Sequence, residues 1–270
     1  MHIKNLQDTD LGTFEIRYTP RDAILYALAV GARADQLDLV YERDLRVLPT
    51  YGCALGLWAV ERAGGLGAYD RQRSLHASQT LVVHRPLPTE GRFSASGRVA
   101  AVYDKGRASI VDIEMRSDFF TATYSIYLPG LGGWGGDPGP QAAADNGTPV
   151  ALDQRSDYPT RVDLPALYRL TGGLHPIHID PEVARQNGFD RPILHGLCTL
   201  GIAAREVAAH SGCHPADLTQ LSARLSAPVM PGQTLTVLSA GTSDSLYFEA
   251  RASDGIVLKG GRARFANPYP

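Results

Sequence analysis

The chain has 270 residues, 44% of them hydrophobic and 20% charged, with a formal net charge of −2. That composition supports a sizeable core and one large or two medium domains. The near-neutral balance, with no Lys/Arg block, leaves no electrostatic basis for nucleic acid or an anionic membrane as partner, so small molecules and proteins are the expected ligands.

The opening MHIKNLQDTDLG is polar and lacks an apolar signal core, and no run of about 18 apolar residues follows, so neither an export signal nor a membrane span is expected. Cys53, Cys198 and Cys213 are odd in number and scattered without CxxC spacing, which suits a reducing compartment and gives a cytoplasmic expectation.

In chain order, Arg21–Ala34 is compatible with a helix. Leu75–His84, Arg92–Tyr103, Ser109–Arg116 and Thr121–Leu128 then read as strands, by alternation or by enrichment in Val, Ile, Tyr and Thr. Residues 136–158 contain many turn formers and small residues without an apolar period, the pattern of a linker. After it, Leu164–Leu170 is a short helical stretch. Asp180–Asn187 carries helix start and stop signals, with Asp-Pro-Glu before it and Gly188 after. Leu194–His210 is too apolar for a surface helix and is expected to be buried. Strands Thr219–Ala227, Thr234–Ala240, Leu246–Ala252 and Val257–Phe265 close the chain.

The two parts repeat one another. Tyr26-Ala-Leu-Ala-Val-Gly31 returns as Tyr168-Arg-Leu-Thr-Gly-Gly173, an offset of 142 (168 minus 26), and Pro86 returns as Pro228 at the same offset (228 minus 86). Pro49-Thr-Tyr-Gly-Cys-Ala-Leu-Gly56 answers Pro192–Gly201 with small gaps. A duplicated unit follows, residues 1–135 and 159–270, each an antiparallel sheet wrapped around a helix, an α+β solution.

The densest polar cluster is Thr171-Gly-Gly-Leu-His175-Pro-Ile-His178-Ile-Asp180, followed by Arg191-Pro-Ile-Leu-His195-Gly196-Leu. Three histidines in this span raise the question of zinc. No fourth ligand and no HExxH accompany them, so no metal is expected. An imidazole together with a glycine opening a buried helix suits proton transfer beside a developing oxyanion. By itself His178 reads as a satisfied histidine, while Gly196 would open the buried helix with its N–H at the positive end.

These segments strongly resemble the MaoC-like (R)-specific enoyl-CoA hydratases, or hydratase 2, over almost the whole chain. The likeness is carried by Arg17-Tyr-Thr-Pro-Arg-Asp22, Leu75-His-Ala-Ser-Gln79, Val102-Tyr-Asp-Lys-Gly106, Tyr168-Arg-Leu-Thr-Gly172, His178-Ile-Asp-Pro181 and Gly188–Thr199. The resemblance implies a double hot-dog fold, usually dimeric, and hydration or dehydration of an acyl-CoA or acyl-carrier-protein thioester without a further cofactor. Elimination, isomerisation or cyclisation at the same carbons is a related possibility. It makes His178 the acid/base and the Gly196 N–H the oxyanion donor, and assigns His76, Ala77, Lys105, Gly173, Leu174, Gly196 and Leu225 to the thioester and acyl group, although Ala77 stands where the family has glycine.

The family motif Gly-Asp-x-Asn-Pro-x-His is altered here to Gly172-Gly173-Leu174-His175-Pro176-Ile177-His178, with Gly173 in place of the acid/base Asp and His175 in place of Asn. A His-based centre, with His175 as partner of His178, is the first expectation. An impaired homologue that binds acyl thioesters, or serves as partner of an active subunit, is the second.

Overall fold

The computed structural model describes residues 2–140, 151–253 and 255–266. The first half contains β1 (Asp10–Tyr18), α1 (Pro20–Ala29), α2 (Leu37–Val40), α3 (Tyr51–Leu55), α4 (Leu57–Gly64), β2 (Leu75–Val83), β3 (Gly91–Asp104), β4 (Ala108–Ser117) and β5 (Phe120–Pro129). The second half contains β6 (Gln154–Pro159), α5 (Leu164–Tyr168), α6 (Pro181–Gln186), α7 (Gly196–His210), β7 (Leu218–Leu225), β8 (Thr234–Thr242), β9 (Ser245–Ala252) and β10 (Gly255–Phe265).

The ten strands of the described residues form one sheet in the order β1-β3-β4-β5-β2-β7-β10-β9-β8-β6. Adding five to each strand number of the first half gives the order in the second, so the duplication read from short sequence matches is a duplication of topology. β2 and β7 join the halves as an antiparallel pair, from Ser78↔Arg224 to Val82↔Gln220. The architecture is α+β, two five-stranded antiparallel halves of one sheet packed on helices, the double hot-dog expected.

Alternation explains the inner faces. Along β5, Phe120, Ala122, Tyr124, Ile126 and Leu128 are all buried while their neighbours are partly exposed. In α7 the wrapping is nearly complete, with eleven of its residues buried, which requires the apolar composition seen in the sequence. The counterpart in the first half is broken into α3 and α4 at Gly56. A Cβ there would run into the Tyr124 hydroxyl, which donates to Cys53 O at 2.7 Å.

Two expectations are corrected. α1 stops at Ala29, because Gly31 adopts φ +90° and a Cβ there would meet the Tyr158 ring at 2.6 Å. The end of the expected linker is strand β6, paired with β8 from Gln154↔Ser239 to Pro159↔Thr234. Its side chains are exposed or only half-buried, so this edge strand carries no apolar alternation. The remainder of that linker at 141–150 lies outside the described residues. Likewise β1, on the opposite edge, loses its alternation at a register shift near Gly12.

Candidate active site

α5 runs into a 3-10 turn, Arg169–Thr171, that ends at Gly172 with φ +129°, a conformation that favours glycine. The chain then passes Gly173, Leu174 and His175 and makes a second 3-10 turn, Pro176–His178. His175 caps that turn, its Nδ1 accepting from Ile177 N–H at 3.2 Å. Asp180 caps α6, accepting from Glu182 N–H at 2.8 Å, which commits it to the helix.

His178 Nδ1 lies 2.9 Å from Ile193 O. Because a carbonyl only accepts, Nδ1 carries the hydrogen and Nε2 keeps its lone pair. Burial, reinforced by His175 and opposed by the Ile193 hydrogen bond, pushes the His178 pKa down to about 4. The side chain is therefore a neutral base at physiological pH.

The ring stacked on His178 belongs to His195, with centroids 3.7 Å apart and planes 24° from parallel. His195 is buried and its Nε2–H donates to Gly173 O at 2.8 Å. Burial, then the neighbouring His178, hold its pKa well below the ordinary histidine value. The expected His175–His178 partnership meets a different arrangement. The His175 centroid is 6.2 Å from His178 and its plane is 69° away, while Nδ1 is occupied in the cap.

Gly196 is the first residue of α7, and the N-cap His195 contributes no side-chain capping bond. The first N–H groups of the helix have no intrahelical acceptor and stand at its positive end. A Cβ on Gly196 would collide with Leu225 Cδ2, so a side chain at this helix end fits only if the Leu225 side chain moves aside.

These groups share one cavity of about 320 Å³, whose wall includes His178, His175, His195, Gly173, Leu174 and Gly196. His76 and Leu225 also line it. Sequence reasoning passed over the contributions of Tyr168 and of Glu61 and Arg71. The latter two form an ion pair of 3.3 Å across the wall. They come from α4 and from the loop after it, and no local pattern connects them to the histidines.

His76 sits beside a bulge, since β2 pairs with β5 through His76↔Ile126 and Ser78↔Ser125, skipping Ala77. Its Nε2 closes onto Ser78 O at 2.9 Å. Bulges of this kind redirect side chains next to active sites. Burial carries the His76 pKa to about 4, against the Ser78 and Gln79 hydrogen bonds. Ala77 itself is not part of the cavity wall. Lys105 is also outside it. Its ammonium contacts the carbonyls of Pro138 and Pro140 and sits 5.5 Å from the Tyr103 ring. Among the described residues, no group of three or more His, Cys, Asp or Glu could hold a metal ion.

Comparison with known proteins gives two family matches that together span both halves. Residues 16–122 match the MFE-2 hydratase 2 N-terminal domain and residues 145–258 the MaoC like domain. The chain is 36% identical to the 3-hydroxyacyl-thioester dehydratase Y of Mycobacterium tuberculosis, covering 92% of this chain and 93% of that one. It is 33% identical to the probable enoyl-CoA hydratase 2 of Dictyostelium discoideum, covering 86% and 85% respectively. Among solved structures, a MaoC-like dehydratase from Phytophthora capsici superposes with a TM-score of 0.86 over 99% of both chains at 24% identity, a likeness of fold.

Proposed function

The chain belongs to the family of MaoC-like dehydratases and hydratase 2 enzymes, and we propose that it works as a hydro-lyase on acyl thioesters through a His-based centre. The observation that carries this reading is the placement of two groups on one cavity. The neutral His178, with Nε2 unprotonated, and the uncapped start of α7 at Gly196 both line it.

In the hydration direction, His178 Nε2 takes a proton from water as the oxygen bonds to the β-carbon. The electron pair of the double bond moves towards the thioester oxygen, where the Gly196 N–H meets the growing negative charge. The proton on His178 then passes to the α-carbon, and the imidazole returns to its neutral form. Dehydration is the same sequence reversed. One base suffices, because the proton taken from water is the one delivered to carbon.

Apolar wall residues such as Leu225 suit an acyl chain. The thioester is carried by CoA or a carrier protein, and the chemistry calls for no added cofactor. Lys105, outside the wall, belongs to the carrier's approach rather than to the acyl pocket. The reading includes a cytoplasmic homodimer, the compartment supported by three free thiols. Cell fractionation and light scattering test those two points.

The decisive assay follows the loss of enoyl-thioester absorbance with crotonyl-CoA and longer trans-2-enoyl-CoAs. Wild type turns over, and His178→Ala loses about 10²- to 10⁴-fold in kcat. Absence of turnover at every chain length sinks the hydratase reading in favour of an acyl-thioester-binding partner subunit.

A further inference from the structure

Beside the cavity the sheet parts. β2 and β7 pair only from Ser78↔Arg224 to Val82↔Gln220. Before Ser78 the start of β2 stays with β5, through Leu75↔Tyr127 and His76↔Ile126, while the end of β7 stays with β10, through Leu225↔Leu258. Leu75 and His76 on one lip, and Leu225, Ser226 and Leu258 on the other, line the cavity, which therefore opens into the cleft between the two strands.

The last rung before that cleft carries two cations. Arg224 and Lys259 stand directly opposite each other, and both are exposed. Leu225 points inward against Gly196, so strand alternation turns Arg224 and Lys259 to the outer face. The Arg224 guanidinium lies over Gly260, where φ is +61° and an added Cβ would come 3.4 Å from Nη2. Like charges directly opposite on neighbouring strands are destabilising. Among the described residues no carboxylate pairs with either cation, so sheet stability does not account for them. Ser78 continues the row on β2, and the hydroxyl, guanidinium and ammonium together span two strand spacings, roughly 10 Å.

We propose that Arg224 and Lys259 bind the diphosphate of coenzyme A, with the pantetheine arm passing through the cleft to the thioester in the cavity. Arginine holds phosphate oxygens through paired N–H donors and lysine acts as a point charge, and the diphosphate supplies the negative charge that the rung lacks. The subsite lies across the cleft from Lys105, whose ammonium is engaged by the Pro138 and Pro140 carbonyls. It names the carrier of the thioester and rests on the hydration reading given above.

Crotonyl thioesters of three arms test the proposal: CoA, 4′-phosphopantetheine with a single phosphate, and pantetheine with none. Arg224→Gln and Lys259→Gln each raise KM for crotonyl-CoA about five- to tenfold, the loss of one exposed charge-assisted contact. The phosphopantetheine thioester loses less, and the pantetheine thioester less than about twofold. An unchanged KM for crotonyl-CoA, or an equal rise with the pantetheine thioester, overturns the subsite. A phosphopantetheine thioester that loses as much as crotonyl-CoA overturns the diphosphate in favour of the one phosphate that a carrier protein also presents. Calorimetric titration with free CoA reads the same rung without turnover, and both variants weaken that binding about five- to tenfold at a Tm no lower than wild type. If the wild type hydrates no enoyl thioester, the hydration reading falls, and the titration still decides whether Arg224 and Lys259 hold CoA.

Discussion

The His178 and His195 rings are stacked at 3.7 Å, and burial is the largest influence lowering the pKa of each. His178 and His76 both titrate near 4 in the folded protein, against about 6.5 when unfolded. As the pH falls below about 6.5 the unfolded chain takes up protons that the folded chain refuses, so stability declines until about pH 4 and then levels. Each such histidine is worth roughly 3 kcal/mol at full effect. Urea unfolding at pH 7, 5.5 and 4 should show that decline, less steep in a His76→Phe variant. A stability that is flat across this range rules it out. Activity follows the unprotonated His178, holding steady above pH 5 and falling as the pH drops through about 4.

His175 occupies the position at which the family motif has Asn, and its Nδ1 accepts from Ile177 N–H. An Asn side-chain oxygen can accept the same hydrogen bond. His175→Asn should therefore keep kcat within a few-fold of wild type, while His175→Ala loses the cap and about 1 kcal/mol of stability. A kcat loss of about 10²-fold or more in His175→Asn would instead assign His175 to proton transfer.

The contrast between α7 and the α3–α4 pair shows which parts of this fold the sequence makes visible. An unbroken helix wrapped by sheet is apolar on all sides, and Leu194–His210 was legible for that reason. The equivalent stretch of the first half is interrupted at Gly56 by the Tyr124 hydroxyl, leaving pieces too short to show a period. β1 and β6 escaped notice as edge strands with little buried surface. In the site, His178 and Gly196 were legible because both belong to one motif-dense stretch. The His178–His195 stack and the fit of Gly173 against His195 were not, since they depend on where two loops meet. The Ala77 bulge escaped for a related reason, being defined by the register against β5.

Gly196 and Leu225 offer a test of whether the glycine matters for its space or only for its N–H. Gly196→Ala forces a methyl into Leu225 and should cost about 1–3 kcal/mol and most of the activity. Alanine keeps the backbone N–H. Adding Leu225→Ala makes room, so Gly196→Ala/Leu225→Ala should regain kcat to within about tenfold of wild type on crotonyl-CoA, with KM rising for longer chains as the acyl wall is thinned. A double variant as inactive as Gly196→Ala alone would show that the helix end does not act through its N–H.

Arg205 ties the halves together from the middle of α7. It is buried, with Nη1 donating to Val30 O at 3.3 Å and Nη2 to Gln36 Oε1 at 2.8 Å. Gln36 is the first-half counterpart of His178 at the offset of 142 (178 minus 36), so this position in the first half is engaged by an arginine and carries no base. Burial lowers the Arg205 pKa, with Glu206 opposing. Arg205→Ala removes both bonds and leaves Val30 O without this partner, while Gln36 Oε1 keeps the Arg33 N–H at 3.0 Å, which should cost roughly 1–3 kcal/mol in urea unfolding. Arg205→Met should cost less, because its chain fills the space of the arginine stem and no charge remains to desolvate. Neither change touches the His178 cavity, so kcat on crotonyl-CoA should stay within about twofold for the folded protein. Arg205→Ala within about 0.5 kcal/mol of wild type would mean that the two Arg205 bonds add no net stability to the contact between the halves.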